Sequence, residues 1–143
     1  MPEIIAGSDR NSPDIASAYP DDCSVADVFA RRATENPDTV AVVDDDRRIT
    51  YRELDQWSGR LATYLVESGV RAGEPVGLIG ERSLEAVAGM LAIVKAGAAY
   101  VPLDRGNPIG RLRALSELLA LRRVVTVPGC EGILNRIPGV SVS

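Results

Sequence analysis

Binding a nucleotide phosphate calls for closely spaced glycines beside a lysine, and two runs approach that pattern: Gly69-Val70-Arg71-Ala72-Gly73 and Gly77-Leu78-Ile79-Gly80. Neither completes it, since both lack a phosphate-binding pattern and a lysine. Asp44-Asp45-Asp46 has cation-ligand chemistry, but calcium takes about six to eight oxygens, and the triplet reads as a hairpin turn. Arg111, Arg113, Arg122 and Arg123 form a basic cluster. It reads as a solvated helix face, with an anionic or protein partner as the second reading. The chain has no histidine, so a Ser-His-Asp triad, a Cys-His pair and a histidine general base are all impossible within it. Cys23 and Cys130 are isolated from each other. Without histidine they cannot build a usual zinc site, and they read as reduced thiols of a cytoplasmic protein.

The remaining composition is that of an ordinary globular chain. The length, 143 residues, suits one domain, and an apolar share of 45% is enough for a core. Sixteen basic against twenty acidic residues give a net charge of −4, which argues against a nucleic-acid partner. No apolar run reaches the roughly 18–20 residues that cross a bilayer, so no membrane partner is expected. Residues 1–22 lack a sustained period and contain Gly7, Ser8, Asn11, Ser12, Pro13 and Pro20. They read as a flexible leader without a secretory signal, and residues 23–143 as the folded part.

Periodicity sets out the elements that would carry any site. Ser24 and Asp27 form a capping box before a helix with Val25, Val28, Phe29 and Ala33 on one face. Thr39–Val43 reads as a strand, returning after the acidic turn through Arg47–Thr50. Thr50 and Glu53 form a second capping box, opening a helix with Leu54, Trp57, Leu61 and Leu65 at helical spacing and Gly69 as its stop. Pro75–Ile79 is a short apolar strand of the kind buried on both faces. Ser83 starts a helix that turns Leu84, Val87, Ala88, Leu91 and Val94 inward, with Lys95 at the negative end of the dipole and Gly97 as the cap. Ala98–Leu103 reads as a buried strand. A basic amphipathic helix with Leu112, Leu115, Leu118 and Leu119 follows Pro108. Arg123–Val127 and Val140–Val142 read as further strands. Strands alternating with helices point to a parallel sheet with right-handed crossovers. The fold class is therefore α/β: a parallel three- to four-stranded sheet flanked by helices, preceded by a helix and a β-hairpin.

Two segments carry a family resemblance. Val94-Lys95-Ala96-Gly97-Ala98-Ala99-Tyr100-Val101-Pro102-Leu103-Asp104 resembles the second core motif of nonribosomal peptide synthetase adenylation domains, and Ile49-Thr50-Tyr51-Arg52-Glu53-Leu54 resembles the first. Tyr19-Pro20-Asp21-Asp22, Asn36-Pro37-Asp38-Thr39-Val40-Ala41-Val42 and Gly80-Glu81-Arg82-Ser83-Leu84-Glu85 are similar to that family's connecting segments, in order. The likeness covers about residues 20–128 and continues through Pro108, Arg111 and Leu112. It departs at Arg105-Gly106-Asn107, where the family usually places proline after the aspartate; this tripeptide has no assigned role.

The resemblance implies the Rossmann-like N-terminal lobe of an adenylating enzyme, truncated before the phosphate-binding loop. The family uses ATP and Mg²⁺. Its Ser/Thr/Gly-rich loop ending in Pro-Lys-Gly is absent here. Its substrate-binding aspartate and catalytic lysine belong to later segments. No catalytic, cofactor-binding, substrate-binding or metal residue is therefore expected in this chain. Tyr51, Glu53 and Leu54 are expected to serve a helix start, Tyr100 and Pro102 to finish a buried strand, and Trp57 to lie in the core or on a domain contact.

The implied function is the structural part of an amino-acid-activating ligase, not competent alone, whose partner is the remaining adenylation domain or a neighbouring synthetase domain. The alternative is a stand-alone scaffolding module that self-associates as a homodimer. A third reading, by fold analogy, places a nucleotide at Ile79-Gly80 and Asp104, where parallel strands end.

Overall fold

The computed structural model describes residues 23–137 together with the backbone of two short strands, Glu3–Ile4 and Ser141–Val142. The chain divides into two compact units, Met1–Trp57 and Ser58–Ser143.

In the first unit, both expected capping boxes form. The Ser24 hydroxyl accepts from the Asp27 N–H at 3.1 Å, and Asp27 Oδ2 accepts from the Ser24 N–H at 2.9 Å. This opens helix α1 (Val25–Glu35), satisfying donors that a helix start leaves unpaired. Ala33 is buried, with Val28 and Phe29 half-buried, but Val25 stays 61% exposed. A helical stripe predicts a side of the helix, not how far along it the cover extends. Strands β2 (Val40–Asp44) and β3 (Arg47–Thr50) pair as the expected antiparallel hairpin. Asp45 takes a left-handed φ of 52°, which aspartate tolerates, and Arg47 Nη2 closes the turn on Asp44 Oδ2 at 2.6 Å. A register shift between Val40 and Val42 is a bulge, and it lets neighbouring Ala41 and Val42 both be buried. The leader expected over residues 1–22 falls outside the described residues, apart from β1 (Glu3–Ile4), whose backbone pairs antiparallel with β2.

Thr50 and Glu53 open helix α2 (Tyr51–Glu67): Glu53 Oε2 accepts from the Thr50 N–H at 2.9 Å and its hydroxyl at 2.8 Å. The first turn is then fixed to the preceding loop. Tyr51 N–H donates to Thr39 O and Arg52 N–H to Pro37 O, each at 3.0 Å. The Tyr51 ring lies 5.8 Å from that of Phe29.

The second unit is a parallel sheet covered on both faces. Its strands are β4 (Pro75–Ile79), β5 (Ala99–Leu103), β6 (Arg123–Thr126) and β7 (Ser141–Val142), in the order β5-β4-β6-β7. Between them run α3 (Leu84–Lys95), α4 (Ile109–Leu118) and the single-turn α5 (Glu131–Leu134). Period-two alternation sorts the side chains. Val76 and Leu78 pack with Ala62 and Leu65 of α2 and with Ala92 and Ile93 of α3. Ile79, Leu103 and Val124 pack with Leu112 of α4 and Leu134 of α5.

Three helices end alike. Gly69, Gly97 and Ala120 have φ of 98°, 78° and 50°. The residue after each, Val70, Ala98 and Leu121, donates back to Leu65, Ile93 and Ser116 at 3.1, 3.1 and 2.9 Å. These are Schellman stops, and each turns the chain toward the strand that follows.

Two expectations are corrected. Ala98–Leu103 was expected as a buried strand, but β5 ends the sheet order, with Ala99, Tyr100 and Pro102 exposed. An apolar run does not distinguish a central strand from an edge strand, whereas proline belongs on edges. The α4 stripe was expected to include Leu118 and Leu119, which are 79% and 38% exposed. The helix ends at Leu118, where its cover also ends. Neither α5 nor β1 was foreseen; both are too short to establish a period.

Ala120 is the one non-glycine at these stops, and left-handed backbone costs alanine about 1–2 kcal/mol. Replacing Ala120→Gly is expected to stabilise the fold by about 0.5–1 kcal/mol after the added freedom of the unfolded chain. A urea melt with a lowered midpoint would contradict this. The caps also fix a pH response. Hydrogen bonds from the Ser24 hydroxyl and then its N–H hold the Asp27 carboxyl below its ordinary value, and those from the Thr50 N–H and then its hydroxyl do so for Glu53. A carboxyl depressed by folding adds stability that is complete above the ordinary range, near pH 4, and is lost as pH falls through the folded-state value. Carbon-detected NMR titration is expected to find both carboxyls titrating below that range, and ordinary values would contradict the caps.

Candidate functional site at the carboxyl edge of the parallel sheet

The order β5-β4-β6 sends the chain from β4 to one side and then back across it to the other. Reversals of this kind open ligand crevices at the carboxyl ends of the strands in α/β folds. Here the residue after β6 packs closely against the end of β4. A Cβ on Gly80 would lie 2.5 and 2.7 Å from the two methyl carbons of Val127. Val127 N–H donates to Ile79 O at 3.1 Å, and Cys130, Leu134 and Ile137 belong to the same apolar cluster.

The loop after β5 is folded on itself. Asp104 Oδ1 accepts from the Gly106 N–H at 2.8 Å, and Asp104 O accepts from the Asn107 N–H at 3.0 Å. Arg105 reaches out of this turn: its Nη1 lies 2.8 Å from Glu81 Oε1 and donates to Cys130 Sγ at 3.9 Å. The tripeptide Arg105-Gly106-Asn107 thus joins the loops after β4 and β5 to the start of α5. With side chains 47% and 67% exposed, the Arg105–Glu81 pair is worth at most about 1 kcal/mol. Its effect is a weak tie between the two loops. Ser83, a few residues on, caps α3 by accepting from the Ala86 N–H at 3.1 Å.

The other sequence candidates resolve into structural parts. The acidic triplet is the hairpin turn it was read as. The glycine runs supply a helix stop at Gly69, a turn at Gly73 that donates to Gly97 O at 2.8 Å, and the interior of β4 at Gly77. The four arginines do not form one helix face. Arg123 begins β6, where it meets Glu74 at 3.1 Å and donates to Ser68 O at 2.8 Å, while Arg113 donates to Arg136 O at 2.7 Å. Spacing along the chain could not reveal this, because the partners of Arg123 lie 49 and 55 positions away. Leu54 is 1% exposed, and Trp57 is half-buried. Neither Cys23 nor Cys130 forms a disulfide.

Among the described residues no group of His, Cys, Asp and Glu could hold a metal ion, and no helix is long and apolar enough to cross a membrane. Leu61, Tyr64, Leu65, Gly89, Ala92 and Val125 line an apolar cavity of about 30 Å³. Ligand pockets run to roughly 300 Å³ and more, so a nucleotide does not fit it.

Residues 29–140 match the AMP-binding enzyme family. Polyketide synthase PksN of Bacillus subtilis (strain 168) is 41% identical over 121 residues, which is 85% of this chain and 2% of that protein. Surfactin synthase subunit 2 of the same organism is 45% identical over 106 residues, 74% of this chain and 3% of that protein. The fold is similar to that of the nonribosomal peptide synthetase FmoA3 with α-methyl-L-serine-AMP bound, at a TM-score of 0.81 and 33% identity over 87% of this chain and 14% of that one. It is also similar to the Klebsiella oxytoca NpsA N-terminal subdomain in complex with 3-hydroxyanthranilyl-AMSN, at a TM-score of 0.75 and 30% identity over 84% of this chain and 30% of that one. By family match, sequence identity and fold together, the chain belongs to the AMP-binding enzyme family and corresponds to the N-terminal portion of a nonribosomal peptide synthetase adenylation domain.

Proposed function

We propose that this chain is the packing portion of an amino-acid-adenylating ligase and is not competent alone. The whole enzyme would join an amino-acid carboxylate to the α-phosphate of ATP, releasing pyrophosphate. The charge that builds up in that step must be met by backbone N–H groups, a lysine and a metal ion. The observation that carries the reading is coverage: residues 29–140 match the AMP-binding enzyme family, yet the chain spans only 30% of the similar NpsA subdomain chain. At the carboxyl edge of its sheet Val127 packs against Gly80 and Glu81 pairs with Arg105.

On this reading residues 23–143 are a partial adenylation domain, preceded by a leader at 1–22, and no residue here has a catalytic, cofactor-binding, substrate-binding or metal role. The partner is the remaining part of an adenylation domain or a neighbouring synthetase domain, and a cytoplasmic location accompanies the ATP requirement. A second reading, a self-associating interaction module, has one observation in its favour: the apolar end of α4 at Leu118 and Leu119.

Co-expression with the remainder of the matching surfactin synthase subunit 2 domain separates the two. The packing reading expects the parts to co-purify and to gain amino-acid-dependent ATP–pyrophosphate exchange about tenfold or more above either part alone. A stable dimer by light scattering, with no affinity for that segment, would contradict it and favour the module.

A further inference from the structure

Helix α4 buries one side and leaves the other bare. Leu112 and Ser116 are buried, whereas Gly110, Ala114 and Leu118 are all exposed. Spaced four apart, these three line one face of the helix. Leu118 is 79% exposed, more than any other exposed large apolar side chain among the described residues. Two turns before it, a Cβ on Gly110 would meet nothing within 4 Å. Glycine weakens a helix relative to alanine, and no described neighbour calls for it here.

Charged groups run beside this stripe. Arg113 and Glu117, also four apart and exposed, lie on one flank, and exposed Arg111 lies on the other. Arg113 donates through Nε to Arg136 O at 2.7 Å, which leaves its terminal nitrogens for a further acceptor.

These features are complementary to themselves. When a second copy is related to the first by a two-fold axis perpendicular to α4 near Ala114, the two outer faces meet antiparallel. Leu118 of each copy then comes opposite Gly110 of the other, and Ala114 meets its equivalent at the axis. The same symmetry keeps each flank against the same flank, so Arg113 of each copy meets Glu117 of the other. A parallel pairing would instead set Leu118 on Leu118 and Arg113 beside Arg111, like charge against like.

We propose that the outer face of α4, from Gly110 to Leu118, is the surface through which two copies of this chain pair antiparallel. The exposed leucine, the open space and the two charges each find their counterpart on the same face of a second copy. The helix has 10 residues and is about 15 Å long, so the contact falls below the roughly 1,200 Å² of stable complexes. The dimer is therefore transient, with a dissociation constant on the order of 100 µM. It is separate from the packing reading, which concerns partners other than a second copy.

Sedimentation equilibrium of the whole chain from about 10 µM to about 1 mM, a range that brackets this constant, is expected to show the average mass rising from one chain toward two. Leu118→Lys removes the apolar knob and places a cation at the helix C-terminus, where it suits the dipole. It should weaken pairing about tenfold or more. Gly110→Leu fills the open space and should weaken it as much. Glu117→Arg should weaken it about fivefold, and adding Arg113→Glu should restore it to within about twofold of the unchanged chain. All four positions are exposed, and urea midpoints read separately whether each variant still folds. A chain that stays monomeric throughout the range overturns the proposal, as does a dimer indifferent to Leu118→Lys and Gly110→Leu. Weakening by Glu117→Arg without recovery in a folded double variant overturns the antiparallel register. If the double variant fails to fold, the Leu118→Lys and Gly110→Leu comparisons still decide.

Discussion

Strand β4 can lie in the middle of the sheet because Gly77 leaves room for its neighbours on the face that Ile79 fills further along. A Cβ at Gly77 would stand 2.8 Å from Leu103 Cδ1 and 2.9 Å from Val124 Cγ2. The strands on either side therefore close over β4, and their side chains form one layer beneath α4 and α5. Gly80 repeats the arrangement at the carboxyl edge, where Val127 takes the space. The same absence of side chains lets neighbours pack closely within the sheet and at its carboxyl edge.

Charge serves that packing too. Arg123 ties the end of α2 to Glu74 at the start of β4, and Arg105 ties the loop after β5 to Glu81 after β4. The first pair is the more sheltered, with side chains 22% and 16% exposed, so it is the less screened by solvent. In both, the guanidinium holds connections between strands, a task for which its planar fork is suited.

Much of this was legible in the chain because the signals are local. The capping boxes at Ser24 and Thr50, the glycine stops at Gly69 and Gly97 and the apolar runs at Pro75 and Arg123 each act within a few residues. The order of elements followed from them. What depended on distant partners was not legible. The place of β5 at the edge, the Arg105 brace and the closure of Gly80 by Val127 are set by strand order, which no single segment encodes. Ala120 as a left-handed stop was missed because the residue type argues against it. Pro102 was the one local sign of an edge strand, and the apolar residues around it pointed the other way.

The proposal that this chain is not competent alone makes a plain chemical demand. The purified chain, incubated with amino acids, ATP and Mg²⁺ and followed by mass spectrometry, should yield no aminoacyl-AMP above the level formed without protein. Formation of aminoacyl-AMP by this chain alone would contradict the assignment of the reaction centre to another segment.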